Sequence, residues 1–189
     1  MKTFQYEVCG VTRELPYVPI KEDLAYASFV VIGDTELIQV AAKELVKMMP
    51  DVDYIVTAEA KGIALAYEIS RLLQQESFIV ARKSVKSYMK NVVSEKVNSI
   101  TTTSEQTLYL DEADASKIAG KRVCLLDDVI STGESLAALE RLAQKAGANV
   151  VQKAAILAEG DAANRKDILF LKKLPLFEIT EEGNYIELA

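Results

Sequence analysis

The chain contains no histidine and no tryptophan. Without an imidazole, Ser–His–Asp and Cys–His catalysis are excluded, and so are the usual zinc sites. Neither a G-x-G-x-x-G run nor a Walker A sequence occurs, so the two common nucleotide fingerprints are absent. Cysteine is scarce as well. Cys9 and Cys124 lie far apart in the sequence, and both are expected to be packed thiols rather than a disulfide or a metal site. No apolar run reaches transmembrane length, and the opening MKTFQYEVCG lacks the apolar core of a signal peptide, so a cytoplasmic protein is expected. The net charge of −6 argues against a general nucleic-acid or membrane-surface binder. Any catalysis must rest on carboxylates, lysine, arginine, hydroxyls and backbone dipoles.

What is present is a chain of 189 residues, half of it hydrophobic and 26% charged, which suffices for one domain with a sizeable core. Its most informative stretch is residues 123–135, VCLLDDVISTGES. The apolar run 123–126 predicts a buried parallel strand, and residues 150–157 repeat that texture. The strand is expected to end at Asp127 and Asp128. A small polar turn follows, Ser131-Thr132-Gly133, and then a helical pattern with Leu136, Leu139, Leu142 and Ala146 on one side. A helix start of this kind presents unpaired N–H groups and the positive end of the dipole, and so can hold a phosphate. Hydroxyls at Ser131, Thr132 and Ser135 add donors, and Gly133 allows close approach of a ligand. Two carboxylates just before a phosphate turn predict a sugar phosphate, with the acids on ribose hydroxyls or on Mg²⁺.

Elsewhere strands and helices alternate. Phe4, Tyr6 and Val8 alternate until Pro16 and Pro19 break the run, and residues 26–32 form another apolar stretch. Residues 35–49 read as a helix stopped by Pro50, 54–57 as a strand and 62–73 as a second helix. Between the last two sits Glu59-Ala60-Lys61-Gly62. A short strand at 78–81 is followed by residues 82–104, where Arg82, Lys83, Lys86, Lys90 and Lys96 stand against one acid, Glu95. That basic island is expected to be a mobile loop attracting an anionic substrate. Residues 107–110 read as a returning strand and 111–120 as a polar connection. Residues 149–157 form the next strand, with closing strands at 169–171 and 176–179. The pattern predicts an α/β fold, an open, mostly parallel twisted sheet flanked by helices with its site at the strand carboxyl ends.

The run of apolar residues, Asp127-Asp128, two apolar residues, Ser131, Thr132-Gly133 and a hydroxyl at Ser135 resembles the signature of the type I phosphoribosyltransferases. That signature binds 5-phosphoribosyl-1-pyrophosphate (PRPP). Family members usually carry a small residue where this chain has Glu134, which sets a carboxylate beside the expected 5′-phosphate. The resemblance covers roughly residues 26–180. It implies a single domain over residues 1–189, with a small hood formed by the termini at about 1–33 and 158–189. It also implies that Ser131, Thr132, Gly133, Glu134 and Ser135 hold the 5′-phosphate. Glu59, Ala60, Lys61 and Gly62 would wrap the pyrophosphate, as acid–small–basic–glycine does in adenine-type members. Asp127, Asp128 and Lys61 become the expected catalytic set, the two aspartates also meeting Mg²⁺. Arg82, Lys83 and Lys86 open the basic segment, which resembles a hairpin that closes over PRPP. A homodimer follows from the same resemblance, with Arg82 or Lys86 reaching a partner's site.

The base is less sharply indicated. Phe29 either stacks on a purine or fills the core. Adenine-specific relatives carry a Glu where this chain has Thr101, whereas xanthine-type relatives are similar in having Thr there; Glu105 is a weak substitute. Xanthine-type relatives also carry a Lys where this chain has Gly160, flanked by Glu159 and Asp161. Acidic acceptors suit an exocyclic amine, so the balance tips narrowly to a 6-aminopurine. The expected activity is purine phosphoribosyltransferase, adenine favoured, with a xanthine/guanine-type enzyme as the alternative. A PRPP-sensing regulator without turnover is a further alternative, although the chain leaves no room for a separate DNA-binding domain.

Overall fold

The computed structural model describes residues 2–97 and 106–188. In chain order the elements begin β1 (Thr3–Val8), β2 (Val11–Pro19), β3 (Leu24–Ala27), α1 (Thr35–Met48), β4 (Tyr54–Ala58) and α2 (Ile63–Leu72). Next come β5 (Ile79–Ala81), β6 (Val93–Val97), β7 (Gln106–Leu110), α3 (Glu112–Ile118) and β8 (Arg122–Ile130). The chain closes with α4 (Glu134–Lys145), β9 (Asn149–Glu159), a 3₁₀ turn (Gly160–Asn164), β10 (Leu169–Leu174), β11 (Leu176–Ile179) and β12 (Tyr185–Glu187).

The central strand is β8, whose residues from Val123 to Leu126 are all fully buried. Its alternate side chains enter different cores. Cys124 and Leu126 pack with α1 and α2, whereas Val123 and Leu125 pack with α4. Burial on both faces is why the strand reads as an unbroken apolar run. Around it lies a five-stranded sheet in the order β10-β9-β8-β4-β5, every neighbouring pair parallel. The parallel sheet flanked by helices is thus the expected one.

A second, antiparallel five-stranded sheet runs β1-β2-β3-β11-β12 and joins the two ends of the chain. Tyr17 and Tyr185 stack at 3.9 Å, and Phe177 sets its edge against Phe4 and Tyr17, each at 4.9 Å. Within the carboxyl-terminal stretch, β10 belongs to the parallel sheet and only β11 and β12 to this one.

Several local expectations are corrected. β8 continues through Asp127 and Asp128 to Ile130, because β9 extends far enough to pair Asp127 with Ala155 and Ile130 with Ala158. Pro16 lies inside β2 without breaking it, at the residue where β2 leaves β1 and takes up β3; its carbonyl accepts from the Ser28 N–H at 2.8 Å. The apolar stretch 26–32 is strand only to Ala27, with Phe29 and Val31 buried in coil. Residues 112–118 form α3, capped by the Asp111 carboxylate accepting from the Asp114 N–H, rather than a plain connection. The basic segment contains β6, paired with β7. Thr101 and Glu105 lie outside the described residues. Cys124 is buried as expected, its thiol pushed up to about 12 by desolvation, but Cys9 is exposed in the β1–β2 hairpin, where it makes no disulfide.

Candidate active site

β4 and β8 are parallel neighbours, with Thr57 opposite Leu126, so the turns after them lie side by side. The first is Glu59-Ala60-Lys61-Gly62, entering α2, and its Glu59–Ala60 peptide is cis. The second is Ser131-Thr132-Gly133, entering α4 with Gly133 as N-cap at φ +80°, a conformation that favours glycine. Gly62 has an ordinary φ of −76° and is needed for space. A Cβ there would lie 2.3 Å from Thr57 Oγ1, which itself donates to the Leu126 carbonyl at 2.8 Å. The close approach at Gly62 is therefore to Thr57, on the strand that leads into the turn.

Between the turns, Lys61 Nζ pairs with Asp128 Oδ2 at 2.9 Å. Asp128 is 1% exposed and accepts no hydrogen bond among the described residues, so Lys61 is its counter-charge. Asp127 accepts from the Asp128 N–H at 2.9 Å. Desolvation, and then the Asp128 charge, push Asp127 up to about 7. These carboxylates, Glu59, Lys61, Lys83, Ser131 and Ser135 line a cavity of about 250 Å³. An adjoining cavity of about 560 Å³ has walls of Tyr26, Phe29, Val129, Leu174 and Leu176, with Thr132, Glu159 and Asp161 at its polar edge. Phe29 fills the core, at 6% exposed, and also lines this cavity. Burial pushes Glu159 above the usual carboxylate range, opposed by Lys61.

Other expected residues are placed differently. The Glu59 carboxylate is occupied by Arg82, at 2.5 Å, and by the Lys83 N–H, at 2.8 Å. It holds the start of the basic segment instead of facing the cavity alone. Arg82 also donates to the Tyr88 hydroxyl at 3.1 Å. Lys86 Nζ donates to Ser84 Oγ at 2.7 Å, and Lys86 lines neither cavity. Glu134 sits in the first turn of α4, also outside both cavity walls. Two residues had no marker in the sequence. Thr57 spans two strands, and Arg165 reaches Gly133 from beyond the end of β9. Each acts across strands, where periodicity carries no signal.

The sheet and its paired turns define a parallel α/β protein with its site at the strand carboxyl ends. The phosphoribosyl transferase domain family matches residues 36–181. The chain is 33% identical to a hypoxanthine/guanine phosphoribosyltransferase of Methanococcus voltae, covering 76% of this chain and 74% of that one. It is 30% identical to an adenine phosphoribosyltransferase of Thermosipho africanus, covering 83% and 89%. The structure of an adenine phosphoribosyltransferase from Thermoanaerobacter pseudethanolicus shares the fold at a TM-score of 0.70 and 22% identity, covering 85% of this chain and 95% of that one. The chain belongs to the phosphoribosyl transferase family, enzymes of the glycosyltransferase class. Among the described residues, no helix is long and apolar enough to cross a membrane.

Proposed function

We propose that the protein transfers the phosphoribosyl group of PRPP to a purine base, adenine in preference, releasing the nucleoside monophosphate and pyrophosphate in purine salvage. The observation that carries this reading is the adjacency of the two cavities, which share Lys61, Val129 and Ser131. A sugar held by Asp127 and Asp128 in the polar cavity meets a flat base entering from the apolar one. The bond from the sugar's anomeric carbon to the base nitrogen forms while the bond to pyrophosphate oxygen breaks, its electron pair leaving with pyrophosphate, and the proton of the base nitrogen passes to solvent or to the departing pyrophosphate. Charge develops on the leaving pyrophosphate, where Lys61 and the amides of its turn supply fixed positive potential. Asp127 and Asp128 accept from the ribose hydroxyls and orient the sugar. The 131–135 turn holds the 5′-phosphate, and the basic segment excludes water.

Mg²⁺ fits this donor set. Among the described residues no cluster of three or more ligating side chains forms a protein cage. Two adjacent carboxylates suit a hard cation bound largely through substrate oxygens and water, which would neutralise pyrophosphate charge. The same reading makes the protein a cytoplasmic homodimer acting on small molecules, with neither nucleic acid nor membrane as partner; sedimentation of the purified chain measures the dimer.

The adenine preference rests on Glu159, whose burial favours the acid form that accepts from an exocyclic amine and donates to a ring nitrogen, and on Asp161 as a further acceptor. A hypoxanthine/guanine activity is the second reading, favoured by the 33% identical relative. The test follows pyrophosphate release from PRPP and Mg²⁺ with adenine, guanine, hypoxanthine, xanthine or uracil in turn. Release fastest with adenine, and sharply reduced in Asp127→Asn and Asp128→Asn, is expected. Faster release with guanine or hypoxanthine would establish the second reading. Binding of PRPP without release on any base would make the protein a sensor.

A further inference from the structure

Arg165 follows the 3₁₀ turn that ends β9. Its guanidinium is clamped, because Nε and Nη2 donate to Oδ1 and Oδ2 of Asp167 at 2.9 and 2.7 Å. Asp167 also pairs with Lys153 at 2.8 Å, and Lys153, on β9, reaches Glu140 of α4 at 3.1 Å. The Lys153 side chain is only 15% exposed, so this chain of alternating charges is anchored in the sheet and not free to drift. Two parallel hydrogen bonds to one carboxylate fix the plane of a guanidinium and thereby aim its third nitrogen.

That nitrogen is aimed at the turn before α4. A Cβ added to Gly133 would lie 2.6 Å from Arg165 Nη1, well inside contact distance. Gly133 therefore makes room for a cation as well as supplying the left-handed backbone. Nη1 has no acceptor among the described residues, and at the α4 N-terminus beside it Gly133 offers no side-chain cap, the Glu134 N–H donating only to Thr132 Oγ1 at 3.4 Å. A guanidinium nitrogen and a helix N-terminus repel one another when alone, and an anion between them satisfies both.

We propose that Arg165 is a clamped cationic wall of the phosphate turn, donating from Nη1 to the 5′-phosphomonoester of the substrate. This rests on the reading of residues 131–135 as the phosphate site. Arg165 binds and does not take part in bond-making; its effect belongs in affinity for the phosphate end of the ligand.

Calorimetric titration with ribose 5-phosphate and, separately, with pyrophosphate tests this on the intact protein. Ribose 5-phosphate keeps the terminal phosphate, and pyrophosphate probes only the Lys61 turn. Arg165→Gln should weaken ribose 5-phosphate binding roughly tenfold to a hundredfold, the range for losing a hydrogen bond to a charged group, and leave pyrophosphate binding unchanged. Asp167→Asn, which unclamps the guanidinium without removing it, should weaken ribose 5-phosphate severalfold. It also decides the matter if the Gln variant does not fold. Unchanged ribose 5-phosphate affinity in a folded variant would overturn the role of Arg165 and leave the phosphate turn intact. Equal loss for both ligands would overturn it too, since a general structural effect acts on both. Failure of the unsubstituted protein to bind ribose 5-phosphate would remove the phosphate-turn reading itself.

Discussion

Glu159 lines the larger cavity, and on the proposed reading, in which a base edge meets it there, its protonation decides what it can read. The neutral acid can donate to adenine N1 and accept from the adenine amine. The ionised form can only accept, which opposes the N1 lone pair of adenine but suits guanine, whose N1–H and 2-amine both donate. Burial raises the folded-state pKa of Glu159 above that of a free carboxylate, with Lys61 opposing. The acid form is therefore present at low pH and is lost as pH rises through that raised value. The ratio of kcat/KM for adenine to that for guanine should fall roughly tenfold across this transition, the cost of one mismatched polar contact. Asp127 titrates nearby, but on the proposed reading it acts on the sugar, so its influence is common to both bases and cancels in the ratio. Glu159→Gln, whose amide both donates and accepts, should keep adenine use and flatten the ratio. A ratio independent of pH in the unsubstituted enzyme would remove Glu159 from base recognition.

Among the elements, the two ligand turns depend on how tightly β4, α2 and β8 are joined. Gly62→Ala forces a Cβ to 2.3 Å from Thr57 Oγ1, and Thr57 cannot retreat without giving up its bond to Leu126. Overpacking of this kind costs about 1–3 kcal/mol. Adding Thr57→Ala removes the clashing oxygen, so urea unfolding of the double variant should show much of the loss recovered, a coupling that two independent sites would lack. The β6–β7 hairpin is a second case. Glu95 pairs with Arg141 at 2.8 Å and with Lys145, while Lys145 also donates to the Ser94 carbonyl at 3.2 Å and Arg141 to that of Lys96 at 3.1 Å. The one acid of the basic segment is thus the peg that fastens the hairpin to α4. Glu95→Gln should speed proteolytic cleavage within residues 83–104, and saturating PRPP should slow it in both forms. Cleavage rates equal with and without PRPP would count against a closing lid.

For the whole molecule, the antiparallel sheet ties the start of the chain to its end and forms one side of the larger, apolar cavity. Phe177 is 2% exposed and meets Phe4 and Tyr17, while its neighbour Leu176 lines that cavity. Phe177→Ala should destabilise the protein by about 3–5 kcal/mol, as expected for a buried aromatic. On the proposed reading it should also raise KM for the base more than KM for PRPP, because its neighbour Leu176 lines the apolar cavity and not the polar one, although Phe177 shares a core with Leu126 and Leu174 of the parallel sheet. An equal rise in both would mean that the two sheets act as one unit.

The sequence by itself determined the strand–turn–helix units on which the site is built. Residues 123–135 carry strand burial, acids, phosphate turn and helix start within one contiguous run, and residues 54–73 repeat the plan. Such features are local, set by side-chain period and turn chemistry. The same local logic misread Pro16, which is tolerated because β2 changes partner there, and residues 112–118, whose short helix is polar on most sides. The tertiary structure alone decided that Lys61 meets Asp128, that Gly62 must clear Thr57, and that Arg165 arrives over Gly133. Those contacts depend on which strands are neighbours and in what register. Burial of both sheet faces sets that register, and no periodicity within a single segment records it.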